Sequence, residues 1–109
     1  MSGRIVGDVF DYAPRDLTSS ELLVLLALAE DARDRDRRAS YSDVETLVER
    51  TRLKPGTVRN ALSKLVARSL IVPQIERVHR GGHHQEYVVA RLAAGHRAAL
   101  HVVERVTGE

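Results

Sequence analysis

Near Leu70 the period of the apolar residues changes, and that switch leaves few architectures open to the chain. Upstream, Val58, Ala61, Leu62, Leu65 and Val66 recur at steps of three and four, which predicts a helix over about 55–68. Pro55 falls at its first position, where a missing N–H costs nothing. Downstream, LIVPQIERVH (70–79) and QEYVVARL (85–92) are rich in β-branched and aromatic residues, with RGGHH (80–84) between them. Gly81-Gly82 supplies the positive φ of a turn, so these runs predict two antiparallel strands, and Pro73 suits a strand start or an edge. With 109 residues, 43% of them hydrophobic, the chain has material for one small domain around one core.

The stretch before the switch is helical by its own signals. Thr18 and Glu21 have the spacing of a capping box, and Leu17 with Leu22 that of a hydrophobic staple. The run LTSSELLVLLALAEDA is apolar on most sides until Glu30, which reads as a central buried helix. DRDRR (34–38) breaks that pattern with alternating charge and reads as a loop. Ser42 and Glu45 have the spacing of a second capping box. It opens a short helix with Val44, Leu47 and Val48 inside, ending near Thr51 and followed by Leu53 as a buried turn residue. Residues 1–16 carry an apolar patch (Ile5, Val6, Val9, Phe10, Tyr12) that fits an arm, a short helix or an added strand, and they are set apart as an N-terminal arm. In residues 93–109, His96, Ala99, Leu100, Val103 and Val106 form one stripe of a C-terminal helix, either a dimer seam or a cap on its own core.

Charge is unevenly spread. Residues 1–49 hold 6 basic and 11 acidic side chains, whereas 50–80 hold eight basic ones and Glu76 as the one acid. Such a cationic block attracts polyanions, because each neutralised phosphate releases condensed counterions. A solvated charged face is the plainer alternative, and arginine outnumbers lysine 15 to 2, as codon bias alone can produce. Bias, however, enriches arginine everywhere, while acids are depleted only in 50–80. With no cysteine, disulfides, thiolate metal sites and thiol catalysis are excluded. The longest apolar run, Leu22 to Ala29, is too short to cross a bilayer, and the N-terminus shows no signal peptide, so a soluble, cytoplasmic, nucleoid-associated protein without membrane contact is expected. No phosphate-cradling glycine loop, H-E-x-x-H or G-x-S-x-G occurs, so no enzyme and no cofactor is expected.

Two helices joined by a tight turn, the second polar outward and flanked by cations, make a helix-turn-helix. The second helix fits a DNA major groove when its outer face carries donors and acceptors and its inner face anchors it. The run DVETLVERTRLKPGTVRNALSKLVARSLI resembles the winged helix-turn-helix pattern of bacterial regulators through Leu47, Thr51, Leu53, Thr57, Val58, Ala61, Leu62 and Leu65, then Leu70 and Ile71 at the start of the wing. The likeness spans about 17–92 and is nearest to the short domains of plasmid and phage replication proteins; the wing and tail also look like MarR- and PadR-type regulators. Arg52 stands where that family's turn usually has glycine, Lys54 where it has a serine or threonine N-cap, and Ser69 where a glycine commonly precedes the wing.

The expected fold is therefore α+β, mainly α: a winged helix-turn-helix over 17–92, with a three-helix core, a two-stranded β-wing, and the C-terminal helix beyond. Candidate DNA contacts are Arg52, Lys54, Gly56, Thr57, Arg59, Asn60, Ser63, Lys64 and Arg68 around the groove helix. Arg77, Arg80, His83 and His84 are the candidates on the wing. Arg59 and Asn60 have the chemistry for bidentate contacts to guanine and adenine. His79, His83 and His84 alternatively suggest a metal site, but no cysteine or carboxylate trio accompanies them, and none is assigned. Tyr41 and Tyr87 read as packing residues. The expected function is sequence-specific binding of double-stranded DNA by a homodimer, as a bacterial transcriptional regulator and repressor. A replication, partition or excision factor that binds DNA repeats, and a winged helix used for protein–protein contact, stay open beside it.

Overall fold

A computed structural model of the chain describes residues 3–39, 43–77 and 83–92, the side chains of 75–77 and 83–85 excepted. In chain order the elements are α1 (Gly3–Tyr12), α2 (Ser19–Asp31), β1 (Arg38–Ala39), α3 (Val44–Thr51), α4 (Pro55–Ala67), β2 (Ile71–Arg77) and β3 (His83–Val89). This is the expected mainly helical winged helix-turn-helix. The C-terminal helix expected in 93–109, and with it the dimer seam, lies outside the described residues, as do Tyr41, His79 and Arg80.

The middle of the fold is α2, against which α1, α3, α4, β1 and β3 all pack. Its start is the expected capping box: the Glu21 N–H donates to Thr18 Oγ1 at 3.1 Å, and the Thr18 N–H donates to Glu21 Oε1 at 3.0 Å. Val24, Leu25, Leu28 and Ala29 are wholly buried, as expected of a leucine-rich helix with neighbours on several sides. Residues 1–16 are not a free arm. Ile5 and Val9 are buried, Val6 and Tyr12 pack beside them and Phe10 faces outward, so α1 lies on α2 and the segment adds to the core.

The start of α3 differs from the Ser42–Glu45 capping box. The N-cap is Asp43, whose carboxylate accepts from the Thr46 N–H at 2.9 Å, while Ser42 lies outside the described residues. A carboxylate satisfies the same orphan donor as a hydroxyl and adds a favourable charge at the positive end of the helix.

Among the described residues the sheet has three strands where two were expected, in the order β1-β3-β2, all antiparallel. DRDRR is thus only partly loop, since Arg38 pairs with Val88 and Ala39 with Tyr87. The β2–β3 ladder runs from Ile71↔Val89 out to Arg77↔His83, so His83 and His84 belong to the strand and not to the tip. Ladder bonds come from the backbone, and imidazole side chains do not stop them. Ile71, Tyr87, Val89 and Ala39 join the core, closing it opposite the helices.

Candidate nucleic-acid interface

Helix α4 is held from within by Val58, Ala61, Leu62 and Leu65, all buried. That fixes its outer ridge: Arg59, Asn60, Ser63 and Lys64 are exposed, and Thr57 is half-buried. On one side of the ridge Arg59 and Ser63 border a shallow groove shared with Val44, Leu62, Val66 and Tyr87, toward α3 and the wing. On the other side Ser63, Lys64, Ala67 and Arg68 border a second groove with Asp16, Thr18 and Glu21, at the start of α2.

The turn into α4 carries two of the three departures from the family pattern. Arg52 is left-handed, at φ 64 and ψ 16, and its N–H caps α3 by donating to the Val48 carbonyl at 2.8 Å. Lys54 is the N-cap of α4 and offers it no side-chain hydrogen bond. The first-turn N–H groups of Gly56 and Thr57 are therefore not taken by a cap, and with the helix dipole they form an anion-attracting end. Gly56 is exposed, and a Cβ there would meet nothing within 4 Å, so internal packing does not require glycine. Arg52 and Lys54 are exposed beside this end.

Helix α4 ends in a Schellman motif: the Leu70 N–H donates to the Leu65 carbonyl at 3.0 Å, and the Ser69 N–H to the Val66 carbonyl at 2.9 Å. Ser69 holds the left-handed position, φ 59, where the family has glycine. Arg68, the C-cap, is held in an ion pair: its Nη2 donates to Asp16 Oδ1 at 2.7 Å. That hydrogen bond holds the Asp16 carboxyl below the usual carboxylate range. Arg50, another member of the cationic block, is paired with Glu30 of α2. Among the described residues, Arg52, Lys54, Arg59 and Lys64 hold no ion pair.

The wing candidates are brought less far. Arg77, His83 and His84 lie at the outer end of the β2–β3 ladder, with Arg77 opposite His83, and Arg80 lies outside the described residues. Sequence reasoning missed the residues that hold the root of this hairpin: Arg37 and Arg38 from the charged run, Arg33 just before it, and the buried Glu86. Their bonds join positions some fifty apart in sequence, so the one local trace was four arginines within 33–38.

Comparison with known proteins gives a family and a fold. The family described as a helix-turn-helix domain matches residues 15–71, more than half of the chain. No curated protein matches the sequence. Among solved structures, a possible transcriptional regulator from Methanosarcina mazei Go1 aligns at a TM-score of 0.59 and 20% identity, over 93% of this chain and 78% of that one. BpsR of Bordetella bronchiseptica, whose DNA binding is regulated by 6-hydroxynicotinic acid, aligns at 0.53 and 20% identity, over 95% and 73%. The N-terminal domain of a DNA-binding protein aligns at 0.57 and 12% identity, over 94% and 84%. At these identities the likeness is one of fold.

Proposed function

The chain belongs to the helix-turn-helix domain family, and from that membership we propose that it binds double-stranded DNA sequence-specifically and regulates transcription as a homodimer. The observation that carries the reading is the α4 ridge. Its inner face is locked into the core, and its outer face shows Arg59, Asn60, Ser63 and Lys64 to solvent beside an uncapped, cation-flanked helix start. A helix so held enters a major groove as a rigid body, with Arg59 and Asn60 reading base edges and Lys64 contacting the backbone. The Gly56 and Thr57 N–H groups receive a phosphate, helped by Arg52 and Lys54. The wing, with Arg77, Arg80, His83 and His84, lies along the neighbouring backbone. One helix reads few base pairs, so two copies on half-sites about 10 bp apart give the useful specificity. Bound over a promoter, such a dimer represses by occlusion.

Selection of bound sequences from a random duplex library, followed by anisotropy titration on the winning site, tests this. Arg59→Ala and Asn60→Ala are each expected to lose about 1–3 kcal/mol and to relax preference at one base pair. Unchanged affinity in both for every duplex overturns the assignment of α4. Binding to a protein with a flat salt response would instead favour the protein-interaction reading.

A further inference from the structure

The run DRDRR (34–38) reads as a loop, yet together with Arg33 before it its side chains close on the wing. Arg33 donates to both carboxylate oxygens of Asp36, at 3.2 and 3.0 Å, and Asp36 Oδ1 accepts from the Arg38 N–H at 3.1 Å. This fixes the turn that delivers Arg38 into β1. Arg37 then reaches back to the root of β3, its Nε and Nη2 donating to the Val89 and Ala90 carbonyls at 2.8 and 2.9 Å. Arg38 crosses the sheet: its guanidinium lies 3.7 Å from Glu86 Oε1 on β3 and 3.5 Å from Gln74 Oε1 on β2. Arg33 approaches the same Glu86 oxygen to 3.9 Å. Gln74 and Glu86 face each other in the ladder, and Glu86 is only 7% exposed.

Withdrawing a carboxylate from water is costly, and an apolar side chain of similar volume commonly stabilises a protein as well as a buried ion pair does. What the carboxylate adds is direction, because its attraction to the two guanidiniums is greatest when the hairpin holds Oε1 close to both. A two-stranded hairpin is marginal by itself, and β1 lends it a ladder of two residues at the root. We infer that Glu86, flanked by Arg33 and Arg38 at ion-pair distance, is a positioning residue that sets the angle at which the wing leaves the core, and hence where its outer end meets a duplex. The consequence for DNA rests on the proposed function; the anchoring itself does not.

Glu86→Gln removes the charge and keeps the shape. The Arg33 and Arg38 side chains are 42% and 25% exposed, so water can solvate them and the fold survives. On the duplex selected by the wild type, the variant is expected to keep the hydroxyl-radical protection opposite α4 and lose the flanking protection of the wing. The plot of log K against log salt becomes shallower by about 0.9 for each wing phosphate lost. Amide exchange at Tyr87–Val89 quickens by roughly tenfold or more while that of α4 stays unchanged. A wild-type footprint and salt slope in the variant overturn the positioning role. If the wild type itself binds no duplex, the DNA reading fails, and exchange alone judges the anchor: unaltered exchange in β3 overturns it, and quickened exchange confined to β3 upholds it.

Discussion

Arg52 and Ser69 each hold a backbone conformation that suits glycine, at φ 64 and φ 59. For a residue with a Cβ the left-handed region costs roughly 1–2 kcal/mol, partly offset because glycine has more freedom to lose on folding. Ser69→Gly is therefore expected to stabilise the protein by about 1 kcal/mol, raising the midpoint of thermal unfolding by several degrees with no change in duplex affinity. Arg52→Gly is expected to give a similar gain in stability but weaker duplex binding, since it removes a cation beside the start of α4. Thermal melts paired with anisotropy titrations check both. If Arg52→Gly binds as tightly as the wild type, the strained arginine serves no phosphate. Both positions are legible in the sequence, because the resembling family marks them with glycine; their left-handed backbone is visible only in the structure.

At the scale of elements, what could be read from the sequence was what local chemistry decides. Thr18 and Glu21 lie three apart and cap α2 as their spacing predicts, and the three-and-four spacing of Val58, Ala61, Leu62 and Leu65 became the buried face of α4. The Ser42–Glu45 spacing misleads because the next residue, Asp43, also has a side chain that can cap, and α3 uses Asp43. Residues 1–16 were ambiguous for another reason. A patch of five apolar residues suits several elements, and only the surface of α2 selects a helix with Ile5 and Val9 inward and Phe10 outward. The packing gives a test. Ile5→Ala is expected to cost about 2–4 kcal/mol in urea unfolding, whereas Phe10→Ser, at a site 67% exposed, changes stability by about 0.5 kcal/mol or less. Equal effects would mean that α1 does not belong to the cooperative core.

For the whole molecule, the cationic block of 50–80 overstates the charge offered to a polyanion. Folding brings acids from the first half of the chain onto it: Asp16 holds Arg68 and Glu30 holds Arg50. Counting charge along the sequence cannot reveal this, because the Asp16–Arg68 partners are 52 positions apart. In the proposed complex Arg52, Lys54 and Lys64 meet phosphates around α4 while Arg59 reads a base edge. These three contacts are expected to contribute about −2.7 per protomer to the slope of log K against log salt, doubled for a dimer on two half-sites, with the wing adding its own contacts. At the far end of that surface Asp16 neutralises Arg68. Its carboxyl is held below its ordinary range by the hydrogen bond from Arg68, so it is ionised from that lowered value upward, and the pair is intact at neutral pH. Acid would release it only below the usual carboxylate range, where other carboxylates titrate too, so substitution is the cleaner release. Asp16→Asn is expected to tighten duplex binding severalfold at low salt and to steepen the slope by about 0.9 per protomer as Arg68 gains a phosphate. Because this pair is exposed and contributes little to stability, unfolding should scarcely change. A slope identical to the wild type would mean that Arg68 lies outside the footprint, and that the surface used by DNA ends at Lys64.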